Sequence, residues 1–313
     1  MLVVAATSTP AAEDFRWDLP RGFPEPAVPA DNPMNLAKVA LGKLLFADSR
    51  LSVTGKHSCA SCHSATRAFT DGRALARGAT GETLPLNAPT LINAAYNSSL
   101  GWRDPETTTF EQQMLGPLFN THPVELGLAG RASTLEKTLS ADARLKREFA
   151  RAFPGERAPV RMENVIRAIA AYERTLISAR SPFDRYVFAG QHDALSPAQK
   201  RGMELFFGAA GCARCHGGIN FAGEWVDREH PAARAVLVDA GTGEPTRIPT
   251  LRNLTVTAPY LHDGRLATLD AVLEHYEKLA ADPVADRRFA RQPLTTEERN
   301  LLRDFLVSLD DAP

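Results

Sequence analysis

The chain has 313 residues, 44% of them apolar, and a formal net charge of −1. That length suffices for two domains, and the near-neutral balance excludes a strongly basic nucleic-acid binder. No run approaches the roughly 18–20 apolar residues of a membrane-spanning helix, so a chain integral to a bilayer is excluded as well.

In chain order, the leading MLVVAATSTPAA has a short apolar piece and small residues but no positively charged start. It reads either as a secretory remnant or as an unrelated beginning. Residues 1–30, rich in Pro and Ala, are expected to form a loosely packed arm. NLAKVALGKLLF (35–46) has the character of a helix and leads into Cys59-Ala-Ser-Cys62-His63. Further on, ENVIRAIAAYERTLISAR (163–180) carries apolar residues at 165, 166, 169, 176 and 177, a helical stripe. SPFDRY follows, then PAQKRGMELFFG, a helix capped at Ser196-Pro197, and Cys212-Ala-Arg-Cys215-His216. ATLDAVLEHYEKLA and TTEERNLLRDFLVSL close the chain as helices. The latter has Thr295 and Glu298 in capping-box spacing and Leu301, Leu302, Phe305 and Leu309 on its buried face.

All four cysteines thus fall in two copies of C-x-x-C-H, the attachment signature of c-type haem. The two thiols can add to the two vinyl groups of one porphyrin, while the adjacent His63 or His216 becomes an axial ligand of the iron. A redox dithiol does not require the histidine, and a zinc site of four thiolates would need the motifs brought together across about 150 residues. Two covalently bound haems are therefore expected, and with them export to the periplasm, because such attachment takes place outside the bacterial cytoplasm. The segments 57–72 and 211–225 are weak repeats, each preceded by a helix and followed by an aromatic. The fold class expected is mainly α, with two cytochrome c-like domains and long loops. The divisions expected are an arm over 1–30, a first domain over 31–180 and a second over 181–313.

Function divides at the iron's remaining coordination site, since a haem with two protein ligands carries electrons and an open one binds peroxide. The five Met residues stand at 1, 34, 114, 162 and 203, so none follows His216. The downstream candidates are His230, His262, His275, Tyr260 and Tyr276. On a helix over 268–280, Leu269, Val272, Leu273, Tyr276 and Leu279 share one face, turning Tyr276 inward and His275 away. By itself that makes Tyr276 either an ordinary core residue or a ligand.

LNAPTLINAAYN, FEQQMLGPLFNTHPVELG, AAYERTLIS, SPFDRY, GCARCHGG and IPTLRNLTVTAPYLHDGRLATLDAVLEHYE together resemble the bacterial diheme cytochrome c peroxidase and MauG superfamily over most of residues 40–280. The resemblance implies that Tyr276, fourteen residues after His262, is the MauG-type tyrosine ligand where classical peroxidases have Met. Sixteen residues after His63, where classical members have a distal His, stands Ala79, implying a first haem already open to peroxide. Gln113, Pro117 and Glu125 resemble the distal pocket, with NTHPVE about two residues longer than the common form. Glu125 would be the general acid-base. Trp102 resembles the tryptophan between the haems, with one extra residue before Gln113. Asn87, by its side chain, and Thr257 and Pro259, by their carbonyls, resemble an inter-haem Ca²⁺ site of the all-oxygen kind.

By the same resemblance the expected activity is that of a MauG-like diheme oxidase. Hydrogen peroxide would generate a bis-Fe(IV)-type state that oxidises tryptophan on a partner protein. MauG acts on tryptophans of a precursor dehydrogenase; the methanobactin-associated MbnH converts a partner tryptophan to kynurenine, and the compact length and longer loop favour the MbnH-like branch. The tryptophan that precedes the second motif in MauG is replaced by Ala210, and Trp225 is either a surface relay or ordinary packing. Two alternatives stand beside this reading. One is a classical peroxidase fed by a small electron-transfer protein. The other is a non-enzymatic diheme carrier, in which the FEQQ…PVELG segment would have no purpose.

Overall fold

The computed structural model describes residues 15–223, 236–238, 245–281 and 293–311, so Trp225, His230 and the first fourteen residues lie outside it. The first half contains α1 (Leu36–Phe46), α2 (Cys59–Cys62), α3 (Phe110–Gln113), α4 (Leu115–Phe119), α5 (Ala132–Ala141), α6 (Ala143–Ala152) and α7 (Met162–Arg174). The second contains α8 (Pro182–Val187), α9 (Pro197–Phe207), a two-stranded antiparallel pair β1 (Val236–Val238) and β2 (Pro245–Arg247), α10 (Leu269–Ala281) and α11 (Thr296–Val307). The architecture is mainly helical with long loops, and no described helix is long and apolar enough to cross a membrane.

Local chemistry sets most helix starts. Asn35 accepts the backbone N–H of Lys38, and Asp142 accepts those of Arg144 and Leu145. Capping boxes open α8 (Ser181/Asp184), α9 (Ser196/Gln199) and α11 (Thr295/Glu298), the first two with Pro in the first turn. The helical stripe expected to reach residue 180 stops at Arg174, because Asn93 captures the following segment. The Asn93 side chain accepts from the Ser178 N–H at 2.7 Å and donates to the Ser178 carbonyl at 2.7 Å, holding Ser178 outside the helix. Helices α5 and α6 were not among the expected elements.

Beside a small cluster of Ala76, Leu84 and Ala88, two large apolar clusters result. One joins α1, α3 to α7 and the loops around them; the other gathers Phe183, Phe206, Phe221, Leu273, Leu302 and Phe305. Each is built on one close helix pair that repeats a single device. A β-carbon at Gly42 of α1 would sit 1.9 Å from the Ala168 carbonyl of α7, and one at Gly202 of α9 would sit 1.9 Å from the Leu301 carbonyl of α11. Both helices therefore run backbone to backbone against their partners.

The clusters meet along a polar seam. Asn220 donates to the Asn93 carbonyl and the Asn97 side chain, Asn253 donates to Ser178, and the Asn87 N–H donates to the His262 carbonyl. Across that seam Phe23 packs on Tyr96 and Phe188 and under the Arg252 guanidinium, so the expected loose arm is anchored at its described end.

Gly42→Ala forces α1 away from α7 and is expected to destabilise the protein by about 1–3 kcal/mol, the usual cost of overpacking. Denaturant unfolding of the haem-loaded protein measures this; an unmoved midpoint means that the helices do not touch at this residue.

Candidate active site

The two histidines are presented in the same way. His63 Nδ1 lies 2.8 Å from the Phe69 carbonyl and His216 Nδ1 lies 3.0 Å from the Phe221 carbonyl. A carbonyl only accepts, so each Nδ1 carries the proton and each Nε2 keeps a lone pair for a metal. Phe69 (φ +60°) and Phe221 (φ +51°) both adopt the left-handed conformation, which turns their carbonyls back toward the imidazoles. These are the aromatics noted after each motif in the sequence. Burial pushes both histidines below the ordinary imidazole range, favouring the neutral form that ligates iron.

None of the four cysteines is in a disulfide, and the two motifs open into different clefts. Burial raises the Cys62 thiol to about 11 and pushes the Cys59 thiol up further. Among the described residues no three His, Cys, Asp or Glu side chains are arranged to hold a metal ion. A four-thiolate zinc centre is excluded by that separation.

The first cleft, about 1730 Å³ and open to solvent, is lined by Cys62, His63, Trp102, Gln113, Pro117 and Glu125. His63 is its only histidine among the described residues, and no Met or Tyr lines it. A smaller recess around Cys59, Cys62 and His63 continues it and adds His57, Ala79, Met114 and Glu173. Met114 is buried in the core, and the His57 ring faces Thr54.

Glu125 is held from two sides. Its carbonyl accepts the Ala79 N–H at 2.6 Å, and the next residue, Leu126, donates to the Pro117 carbonyl at 2.9 Å. Within NTHPVE, Thr121 and His122 are exposed. Burial raises the Glu125 carboxyl above the ordinary range.

The second cleft, about 1010 Å³, is lined by Cys212, His216, Leu269, Val272, Leu273 and Tyr276; Cys215 does not line it. The inward face of α10 is the one the periodicity marks, and His275 is not part of the wall. Tyr260 also lines this cleft, but its hydroxyl donates to the Leu254 carbonyl at 2.9 Å. Buried His262 gives its carbonyl to Asn87. Asn87, Thr257 and Pro259 all line the same wall.

Asn87, Trp102 and Arg247 line both clefts. The Trp102 indole N–H donates to the Asn87 carbonyl at 2.8 Å, and the Arg247 guanidinium lies 5.0 Å from the centroid of the Trp102 ring. Sequence reasoning missed Arg247 and Glu173. Neither carries a local signal, because what distinguishes them is burial beside the clefts.

These features belong to a two-centre haem protein, and the comparisons agree. The chain belongs to the di-haem cytochrome c peroxidase family, whose pattern matches residues 36–193. The methylamine utilization protein MauG of Methylorubrum extorquens is 34% identical over 311 residues, 96% of this chain and 84% of that protein. Cytochrome c peroxidase Ccp of Escherichia coli is 34% identical over 268 residues, 81% of this chain and 56% of that protein. Among solved structures, a MauG-like protein associated with microbial copper homeostasis superposes with a TM-score of 0.82 at 35% identity, covering 95% of this chain and 96% of the other. The protein is thus a haem-dependent peroxide oxidoreductase with two haems in two cytochrome c-like domains. The donors fit that cofactor: the first cleft and its recess offer Cys59, Cys62 and His63, the second offers Cys212 and His216, and both have apolar walls.

Glu173, buried beside Cys59, is pushed from the usual 4.5 to about 8 by burial, with Arg174 acting in the opposite sense. The folded state then keeps a proton that the unfolded chain releases. Stability from this group is full below about pH 4.5 and is lost as pH rises to about 8. Glu173→Gln should flatten the decline of the unfolding midpoint across that window. Identical slopes in variant and parent would mean that Glu173 is ionised throughout.

Proposed function

We propose that the protein is a MauG-like oxidase that consumes hydrogen peroxide and oxidises tryptophan on a partner protein in the periplasm. One contrast carries the reading. The first cleft has a half-buried acid and, on its lining, no second iron-ligating side chain, whereas the second has Tyr276 in the same cleft as His216. When bound, the two haems supply cleavage of the peroxide bond and storage of the two oxidising equivalents it yields. His63 and His216 hold the irons from one side, and the cysteines at 59, 62, 212 and 215 fix the rings.

Burial makes the Glu125 carboxylate a stronger base than an exposed one, so it can take a proton from one peroxide oxygen and deliver that same proton to the departing oxygen. Gln113 and Pro117 shape the space in which peroxide is oriented. Ala79, packed against Glu125 with 6% of its surface exposed, leaves that space without the distal imidazole of classical members. Tyr276 gives the second iron an anionic oxygen donor, which favours its oxidised states more than a thioether does. Trp102 joins the clefts electronically. Asn87, Thr257 and Pro259 supply oxygen ligands for Ca²⁺ beside it, and the two domains divide near residue 180. The likeness to a MauG-like protein of copper homeostasis supports the MbnH-like branch, with kynurenine as the product on the partner.

Stoichiometric peroxide added to the diferric protein, without prior reduction, is expected to react rapidly and give a long-lived oxidised state in the Soret and near-infrared spectra. A reaction that needs one haem reduced first would make the protein a classical peroxidase. Glu125→Gln should slow that reaction by about 10²–10⁴-fold. Unchanged kinetics would remove Glu125 from proton transfer. Tyr276→Phe should alter the second haem's spectrum and shorten the oxidised state's lifetime; an unaltered spectrum would return Tyr276 to the core.

A further inference from the structure

Arg247 is 7% exposed, yet no carboxylate among the described residues pairs with it, and its Nε is buried without a hydrogen-bond partner. The other deeply buried arginines have a carboxylate partner, although Arg174 too keeps one unpartnered nitrogen, Nη1. Arg252 makes a two-pronged pair with Asp184, and Arg174 pairs with Glu111. Burying a guanidinium without a counter-charge is expensive, so folded proteins pair such groups or reserve them for an anionic ligand.

The position of Arg247 says which anion. It lines both clefts, and its backbone N–H donates to the Trp102 carbonyl at 2.9 Å, fixing it at their boundary. Each haem carries two propionate carboxylates, the anions that enter these clefts with the cofactor. A guanidinium receives a carboxylate through two parallel N–H donors, a geometry that lysine lacks.

We propose that Arg247 is a shared anion site that binds haem propionates at the boundary of the two clefts and holds its guanidinium against the face of Trp102. The second part follows from the stacking. When an electron passes from the second cleft to the first by way of Trp102, the indole loses one electron and regains one, ending neutral. A cation 5.0 Å from the ring centroid opposes positive charge on the indole, so the oxidising equivalent crosses Trp102 without settling there.

The inference rests on the two-haem assignment and not on any partner protein, so its test uses the haem-loaded enzyme alone. Resonance Raman of the diferric protein reads propionate bending directly, and a redox titration reads the midpoint potentials. Arg247→Gln should shift the propionate band, lower the midpoint potential of at least one haem, and yield an indole radical in the paramagnetic resonance spectrum after one equivalent of peroxide. Arg247→Lys, which keeps the charge but not the fork, should shift the band while leaving the potentials near those of the parent. If the Gln variant does not load both haems, the Lys variant decides by its band. Propionate bands unmoved in every variant that loads would overturn the proposal, as would Gln-variant potentials equal to the parent's. Failure of the parent to react with peroxide would strike the proposed function and leave this result standing.

Discussion

Each half of the molecule is organised around one hydrogen bond, from a histidine Nδ1–H to the carbonyl of a phenylalanine in the left-handed conformation. Without it the imidazole could rotate or take the other tautomer, and Nε2 would no longer be available to iron. The surrounding structure holds that carbonyl in place. On the first side, Thr90 donates to the Ala68 carbonyl, and the Ser64 and Thr70 backbones pair across the loop that carries Phe69. On the second, Arg252 donates to the Ile219 carbonyl through Nε and Nη2 while its other bonds go to Asp184. A residue at positive φ without glycine costs energy and persists where neighbours overdetermine it. The core phenylalanines overdetermine Phe221, which packs on Phe183, Phe206 and Phe305.

That arrangement explains why the seam between the halves is polar. Two apolar clusters facing each other would bury the clefts' rims; instead Asn93, Asn97, Asn220 and Asn253 bridge them with directional bonds. Such bonds fix distance and orientation as a greasy contact does not, and charge transfer between two centres depends on both. Trp102 sits in this seam with its N–H, its carbonyl and its ring face all engaged, by Asn87, the Arg247 backbone and the Arg247 guanidinium respectively.

What could be read beforehand divides along the same line. C-x-x-C-H carries its chemistry within five residues, and the cleft-facing side of α10 follows from a 3.6-residue period, so the haem motifs and the orientation of Tyr276 were legible. The starts of α8, α9 and α11 were legible from their caps. The end of α7 was not, since Asn93, which stops it, is 85 residues from Ser178. Helical periodicity alone did not set Tyr260 apart from Tyr276, and nothing local announced that the Tyr260 hydroxyl is committed to the Leu254 carbonyl. The anchoring of the arm at Phe23 was not legible for a related reason: Phe23 finds its partners, Tyr96, Phe188 and Arg252, in distant parts of the chain.

The buried charges sort by the same logic into structural and functional ones. Arg174 and Glu111 tie α7 to α3, the helix that carries Gln113, and Lys38 and Asn32 extend that network to the arm. Arg252 and Asp184 tie the second motif's loop to α8. Both arginines have their counter-charge within the protein, although the Arg174 Nη1 is buried without a hydrogen-bond partner, and removing one partner of such a pair is costly because it strands the other. Arg247 alone among these buried arginines has its neutralising partner supplied by no described side chain, and it stands where two clefts and an aromatic bridge meet. A chain that gives Arg174 and Arg252 carboxylate partners of its own leaves the charge of Arg247 to be met by what it binds, which makes the cofactors themselves part of the electrostatic design around Trp102.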